Sequence, residues 1–288
     1  MPHGRLTALT TLVMIAFAGN SLLCRMALKG TALDPATFTV VRIISAAVVL
    51  AVIAQWRHRP SHRAGNWRSA LALFAYAAAF SYAYVSLTAA TGALLLFGAV
   101  QATMIGWGVF RGERMRPHQL GGLVLALAGL IGLLLPGLSS PPLDGSVLML
   151  LAGIAWGVYS LRGKGADDPA QVTAGNFLRA VVPALLLGLL GLPWAHWDTR
   201  GVACALASGA ITSGMGYAVW YSVLPALRAT TAAVVQLSVP FIAAFGGILF
   251  LSESLTIRLV LASVAVISGI AAVTTNSPQP RGGPRPAR

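Results

Sequence analysis

Long apolar runs separated by short polar segments form the dominant pattern of this chain. Ten such runs, each close to the roughly 17 to 25 residues that a helix needs to cross a bilayer, take up most of its 288 residues. We place the spans at residues 6–24, 35–55, 68–87, 89–110, 118–136, 145–161, 170–193, 201–222, 229–250 and 256–275. The runs lack the alternation typical of outer-membrane barrel strands. The pattern therefore predicts an all-α integral membrane protein with ten transmembrane helices.

Two distant segments of the chain align without a gap. Residues 89–113, AATGALLLFGAVQATMIGWGVFRGE, match residues 229–253, ATTAAVVQLSVPFIAAFGGILFLSE, and the alignment continues through the span that follows each segment. A second, weaker similarity joins DPATFTVVR (34–42) to DPAQVTAGNFLR (168–179). We interpret the match as an internal duplication. It predicts two five-helix units, 1–137 and 138–276, followed by a disordered cytosolic tail, 277–288.

The basic residues are unevenly distributed across this topology. With ten spans and the N-terminus inside, the outer segments hold Arg25, Lys29, Arg200 and Arg258, whereas most of the 20 lysines and arginines fall in inner segments. Basic cytoplasmic loops are typical of inner-membrane proteins. This placement explains the net charge of +13 without a nucleic-acid partner. We expect a multi-pass protein of the bacterial inner membrane with both termini in the cytoplasm.

A five-helix unit that is repeated in one chain enters the membrane from opposite sides, because five is an odd number. The loop of the first copy, with Arg111, Arg114 and Arg116, then faces the cytosol, and the matching loop of the second copy faces outward without those charges. Inverted repeats are a common transporter architecture, with the substrate site near the membrane midplane. A duplicated bundle with a structural or sensory role is the alternative. The duplication therefore favours transport by alternating access.

Aromatic residues in the middle of spans are candidates for the lining of a central cavity. Trp156, Tyr159 and the neighbouring Ser160 share one face of the sixth span, and Tyr217, Trp220 and Tyr221 share a face of the eighth,. Packing within the bundle is the alternative role for each of them. An aromatic lining with polar groups suits a neutral or zwitterionic substrate with an apolar body.

The seven carboxylates all fall in loops or at predicted helix ends; they are Asp34, Glu113, Asp144, Asp167, Asp168, Asp198 and Glu253. A carboxylate within the membrane is the usual partner of a cationic drug and the usual proton carrier. We therefore expect gradient-driven passage without carboxylate-based proton coupling, although a histidine or water route stays open. Glu113 and Glu253 occupy equivalent turns, where we expect each to complement the N-terminus of the helix that follows, with a role in gating as the alternative.

Two arginines, Arg42 and Arg179, lie inside predicted spans without a carboxylate nearby in sequence. An arginine at that depth needs acceptors for its donors. We expect backbone carbonyls or lipid headgroups as partners, and contact with the carboxylate of a substrate is the alternative.

The chain lacks the marks of an enzyme. Its five histidines, His3, His58, His62, His118 and His196, lie in loops or at the termini, and neither HExxH nor GxSxG occurs,. The two cysteines, Cys24 and Cys204, are too isolated for a metal cluster. We expect no catalytic residues, no metal and no cofactor.

Several segments resemble the EamA-type, ten-helix branch of the drug/metabolite transporter superfamily. They are AWGVY (155–159), GYAVWYSVLPALRATTAAVVQLSVP (216–240) and the Gly-Glu-Arg turn at 112–114. Within that superfamily, SYAYVSL (81–87) and FGAVQATMI (97–105) are most similar to the YddG-type exporters of aromatic amino acids, with Phe17 standing where those proteins have a tryptophan.

This resemblance implies a central cavity between two helical halves and the export of amino acids, aromatic ones included, or of similar amphipathic metabolites. A broad-range drug/metabolite or lipid exporter on the same fold is the first alternative, and a membrane-embedded enzyme is the second. The resemblance also adds five residues to the expected cavity: Asn20, Tyr82, Gln101, Gln236 and Ser238. We expect a small-molecule substrate and membrane lipids as partners, and a monomeric protein.

Overall fold

A computed structural model of the chain describes residues 2–56, 64–112, 115–137, 140–163, 168–227 and 229–274, and the regular secondary structure in these ranges is entirely helical. The α-helices are α1 (His3–Gly30), α2 (Pro35–Trp56), α3 (Trp67–Ala83), α4 (Ala89–Phe110), α5 (Pro117–Leu134), α6 (Leu143–Gly163), α7 (Pro169–Gly191), α8 (Thr199–Ala207), α9 (Gly216–Val223), α10 (Ala229–Gln236), α11 (Ser238–Leu251) and α12 (Ile257–Thr274). A π-helical segment, Ser208–Met215, joins α8 to α9.

Ten helical passages result from these elements. Within the described ranges, eight stretches are long and apolar enough to cross a membrane, with α8, the π-helical segment and α9 counted as one. The other two passages are α3, with 17 residues, and the pair α10 and α11, which is interrupted only at Leu237. The prediction of an all-helical membrane protein with ten spans is confirmed. The predicted tail, 277–288, lies outside the described residues.

The first helix is longer than predicted. We expected a span at 6–24 followed by an outer segment that holds Arg25 and Lys29, but α1 continues to Gly30 and contains both residues. The helix continues because the charge of Arg25 is buried and satisfied: its guanidinium pairs with Glu253 and donates to the carbonyls of Tyr84 and Val85. Those carbonyls follow the end of α3, which ends at Ala83, four residues before the predicted end at residue 87.

Short polar side chains define where several helices begin. Asp34, Asn66, Thr88, Asp168 and Asp198 each accept a hydrogen bond from a backbone N–H in the first turn of the helix that follows. Such caps satisfy donors that a helix cannot satisfy internally. Three of the seven carboxylates therefore serve as helix caps, outside the apolar interior.

Equivalent helices of the two halves run antiparallel to each other. Along the α5–α12 contact, Gly122 lies against Gly269 while Gly129, further along α5, lies against Ala265, which comes earlier in α12. In the α2–α7 contact, likewise, Gly188 meets Val40 and Gly191 meets Ala36. The fifth helices and the second helices of the two units therefore point in opposite directions, and the repeat is inverted as predicted.

The remaining contacts between the halves come in matching pairs. The first unit's α4 packs on α6, and the corresponding α11 packs on α1. In the same way α3 packs on α7, and α2 packs on α8 and the π-helical segment. This pattern is that of a pseudo-twofold axis in the membrane plane, which is the arrangement known from inverted-repeat transporters.

Candidate functional site

A cavity lies on the boundary between the two halves, among α1, α3, α4, α6, the π-helical segment, α9 and α10. The space inside it that a water molecule can reach is only about 30 Å³, so the lining has to separate before a small molecule of the usual size could enter. The lining residues are Phe17, Asn20, Ser21, Tyr76, Phe80, Leu96, Phe97, Trp156, Thr212, Tyr217 and Gln236. Both halves contribute to this lining, as expected for a site on the pseudo-twofold axis.

Aromatic rings from both halves contact one another at this cavity. The Trp156 ring stacks on Tyr217 with centroids 5.2 Å apart and an interplanar angle of 20°. Its other neighbours include Tyr76, at 4.8 Å, and Tyr217 also contacts Phe17, at 5.7 Å. Offset and tilted ring contacts at these distances are favourable. The rings of the two halves therefore hold each other in place at the cavity.

A chain of hydrogen bonds crosses the polar side of the cavity. The Asn20 amide group donates to the Tyr76 hydroxyl at 3.4 Å, and the Asn20 carbonyl oxygen accepts from Ser208 Oγ at 2.6 Å and from Thr212 Oγ1 at 3.3 Å. These bonds connect α1 and α3 of the first half to the π-helical segment of the second. The polar groups of the cavity are thus held in place by partners from both halves.

Two departures from regular helix border the cavity. One is the π-helical segment, which supplies Thr212; π-helical turns often mark functional sites. The other is the break between α10 and α11 beside Gln236. Pro240 has no N–H to donate to the Gln236 carbonyl four residues earlier, so the helical pattern cannot continue through this point. Irregular backbone is tolerated at membrane depth where it borders a cavity instead of lipid.

Arg42 lies in the wall behind the cavity. Its side chain is 2% exposed, and its guanidinium lies over the rings of Phe80 and Tyr76, 4.8 and 5.3 Å from their centroids. Nη2 donates to the Tyr76 hydroxyl at 3.1 Å and Nε to Ser213 Oγ at 3.4 Å. The expectation of carbonyl or headgroup partners is therefore wrong for Arg42, because its position on α2 faces the bundle interior. Arg179 does donate to the carbonyls of Ala64 and Gly175.

Four of the ten residues proposed from the sequence line the cavity: Asn20, Trp156, Tyr217 and Gln236. Tyr82 does not, since its side chain is 38% exposed on the outside of α3. The reason is the helical repeat: Tyr82 follows the cavity residue Phe80 by two positions, which turns it about 200° around the helix.

The other five residues lie beside the cavity without lining it. The Tyr159 hydroxyl donates to Thr173 at 3.1 Å, and the Trp220 ring packs behind Phe17 at 6.0 Å. The Ser238 hydroxyl donates to the Val235 carbonyl at 2.6 Å. Gln101 is buried one turn beyond Phe97, and Tyr221 is half-buried against the core. These five residues support the lining or pack within the bundle.

Sequence reasoning missed several lining residues, Tyr76 and Phe80 above all. Their spacing, one helical turn in the middle of a span, is the same signal that selected Trp156 and Tyr217. Applied to the third span, that rule would have found both. Ser21 and Thr212 carry no such signal, because hydroxyl groups inside membrane helices more often bond to their own backbone.

Glu253 has a different partner from the one predicted. We expected it to complement the N-terminus of the helix that follows, but Thr256 caps α12 through the Leu259 N–H. Glu253 Oε2 instead accepts from the Ala89 N–H at 2.8 Å, at the start of α4 in the other half. The prediction is therefore wrong for Glu253. Its counterpart Glu113 lies outside the described residues.

Comparisons with known proteins agree with this architecture. A protein of Pseudomonas aeruginosa described as uncharacterized is 57% identical over 274 residues, which cover 95% of this chain and 96% of that protein. An uncharacterized transporter of Archaeoglobus fulgidus is 27% identical over 286 residues, covering 94% and 98% of the two chains. The threonine/homoserine exporter RhtA of Escherichia coli is 32% identical over 158 residues, about half of each chain (53% of both).

A solved crystal structure with 17% identical residues superimposes with a TM-score of 0.65 and covers 94% of this chain and 97% of that one. At this identity the likeness concerns the fold alone. The profile of the EamA-like transporter family matches twice, over residues 6–135 and 143–275. Each match spans five helical passages and ends with the packed helix α5 or α12. The chain therefore belongs to the EamA-like transporter family of membrane proteins, and it contains two copies of the family's unit.

Proposed function

We propose that this transporter exports amino acids, aromatic ones among them, and similar amphipathic metabolites from the bacterial cytoplasm by alternating access through the central cavity. The observation that carries the proposal is the cluster of Phe17, Tyr76, Trp156 and Tyr217 around the amide of Asn20 at the boundary of the inverted halves. Rings offer an apolar face to a side chain, and the amide and hydroxyl groups bind polar groups of the substrate.

The relatives support an amino acid as the substrate class. RhtA is named as a threonine/homoserine exporter, and half of this chain aligns with half of it. The lining of the present cavity favours a larger, flatter side chain than that of threonine, because rings meet rings across it. The preference for aromatic over small hydroxylated amino acids therefore depends on how far these rings separate when the substrate binds.

The composition of the lining supports facilitated transport. None of the residues that line the cavity is a carboxylate or a histidine, so no such group in that lining can carry a proton with the substrate. The substrate gradient then supplies the driving force. The two inverted halves provide two arrangements of similar free energy that open to opposite sides.

Counterflow in proteoliposomes tests the proposal. Purified protein is reconstituted, the vesicles are loaded with unlabelled amino acid, and entry of labelled tryptophan, phenylalanine, threonine or homoserine is measured with and without a pH gradient. We expect saturable entry of at least one aromatic amino acid, with the same rate in both conditions. Empty liposomes and vesicles that contain the Trp156→Ala variant serve as controls.

Two results would contradict the proposal. Strict dependence on the pH gradient would refute uncoupled transport. Movement of a fluorescent lipid or a cationic dye, with no amino acid counterflow at all, would instead favour the lipid or drug exporter that the fold also permits.

A further inference from the structure

We infer that Arg42 binds the carboxylate group of the transported substrate. The inference rests on the proposed function and defines its substrate class more narrowly: the site requires a carboxylate and does not require an ammonium group. Organic acids with an apolar side chain, such as 2-hydroxy acids, would then share the pathway with amino acids.

The charge of Arg42 is buried in the membrane interior and forms no ion pair with a carboxylate of the described residues. Arg42 is the eighth residue of α2, so the helix places it about 10 Å from the helix end at Pro35,. A cation at that depth is costly unless it is paired. Among the described residues the ion pair within 4 Å joins Arg25 to Glu253, and no Asp or Glu of the described ranges pairs with Arg42. The ring faces of Phe80 and Tyr76 offset only part of this cost.

The guanidinium also has unused donors. Nη1 is buried and makes no hydrogen bond to any described residue. Arginine carries donors only, so the Tyr76 oxygen must be the acceptor in its bond to Nη2. The hydrogen of the Tyr76 hydroxyl is then free to bond to a ligand. A buried donor without a partner destabilises a protein, and an anion bound here would satisfy Nη1 and the Tyr76 O–H together.

The position of these donors connects them to the cavity. Tyr76, Phe80 and Asn20 all line the cavity, and Tyr76 bonds to both Asn20 and Arg42. A carboxylate in the cavity therefore meets the Tyr76 hydroxyl first, and a displacement of the Tyr76 and Phe80 rings brings it to the guanidinium. The lining offers no anionic group to an ammonium, so the amino group of a substrate contributes less to binding.

A purely structural role is the competing explanation. Arg42 connects α2 to α3 through Tyr76 and to the π-helical segment through Ser213. In that role its removal would lower stability without changing the preference among ligands. The two explanations are therefore separated by ligand selectivity, which a structural residue does not control.

The experiment compares three ligands that carry the same side chain and differ only in their polar groups. They are the amino acid that gives the fastest counterflow, its 2-hydroxy acid, which lacks the ammonium, and its amide, which lacks the charged carboxylate. Each competes against labelled amino acid in wild-type proteoliposomes. We expect the hydroxy acid to compete within about threefold of the amino acid and the amide to compete at least about tenfold more weakly, since a hydrogen-bonded charge contributes about this much.

Variants then assign the selectivity to Arg42. Arg42→Gln is expected to raise the half-saturating concentration by about tenfold or more and to abolish the preference for the acid over the amide. Arg179→Gln, which removes another arginine from a membrane helix, should leave that preference intact. Tyr76→Phe keeps the ring and removes the hydroxyl, so it should weaken binding of the acid more than that of the amide, because a hydrogen bond to a charged oxygen is the stronger one.

The results distinguish this inference from the proposed function. If the amide competes as well as the amino acid in the wild type, the role of Arg42 is refuted and transport still stands; this comparison needs no variant and holds even if Arg42→Gln fails to fold. If a folded Arg42→Gln protein keeps the wild-type preference, the role is refuted as well. If the wild type moves no amino acid at all, the proposed function fails and this inference fails with it.

Discussion

Arg25 and Glu253 are 228 positions apart in the chain, yet they form an ion pair with Nε and Oε1 separated by 3.1 Å. Both side chains are almost fully buried, with 10% and 11% of their surface exposed. Arg25 Nη1 also donates to the carbonyls of Tyr84 and Val85, and the second oxygen of Glu253 accepts from the N–H of Ala89. One carboxylate of the second half thus connects α1, the end of α3 and the start of α4 in the first half.

Removal of one partner should destabilise the protein, because the other charge remains buried. We expect Glu253→Gln to lower the free energy of unfolding by roughly 2 to 4 kcal/mol, measured as a lower midpoint of thermal unfolding in detergent. The double variant Arg25→Met with Glu253→Leu should be destabilised by less than the sum of the two single variants. If the loss of stability in the double variant equals the summed losses of the two single variants within about 0.5 kcal/mol, the two residues are not coupled.

A glycine seam holds the fifth helices of the two halves together. A Cβ atom on Gly269 would lie 2.4 Å from the Gly122 carbonyl oxygen and 2.7 Å from the Ala126 nitrogen. These are backbone atoms, so the contact cannot be relieved by a side-chain rotation. Small residues at membrane helix contacts permit this close approach.

Gly269→Ala should therefore separate α12 from α5 and lower stability by about 1 to 3 kcal/mol, the usual cost of overpacking. Gly132→Ala is the matched control in α5, because a Cβ atom there would meet nothing within 4 Å. Thermal unfolding of the two variants side by side measures the difference. Equal midpoints for both would mean that the seam tolerates a larger spacing than the structure shows.

The sequence predicted the architecture well because membrane spans are a local property. Each helix must be long and apolar by itself, so hydropathy alone places the ten passages within a few residues of their observed ends. The inversion also followed from the sequence, since a repeat of five spans has to reverse its direction. Only the ends that depend on distant partners differed, as with α1, which continues past Arg25 to Gly30 because Glu253 neutralises that charge.

The site was less predictable because it depends on which face of each helix points inward. Tyr76 and Tyr82 lie in the same helix, and the resemblance selected Tyr82, yet Tyr76 lines the cavity and Tyr82 is exposed. The π-helical segment at Ser208–Met215 has no local signature, and its partners come from α1 and α2. The partner of Glu253, the backbone N–H of Ala89, likewise lies in the other half, and the sequence around Glu253 does not indicate it.

The topology can be measured by the accessibility of single cysteines. In a variant in which Cys24 and Cys204 are replaced, a cysteine is placed at the exposed position of Trp197 or at that of His118. The predicted orientation puts residue 197 outside and residue 118 in the cytoplasm. A membrane-impermeant maleimide should label Trp197→Cys in intact cells and His118→Cys only after permeabilisation. Labelling in the reverse order would invert the assignment of the termini.

The aromatic cluster should control selectivity as well as rate. Trp156 stacks on Tyr217 and contacts Tyr76, so it joins rings from both halves at the cavity. Trp156→Ala removes the largest of these faces, and loss of such a buried contact at a binding centre commonly costs 2 kcal/mol or more. We expect counterflow of an aromatic amino acid to lose at least about tenfold in kcat/KM, whereas that of threonine should change much less. Trp194→Ala, at a tryptophan that is 72% exposed, is the control, and its kinetics should match the wild type. If Trp156→Ala slowed all amino acids equally, the ring would be needed for the conformational change and not for recognition of the side chain.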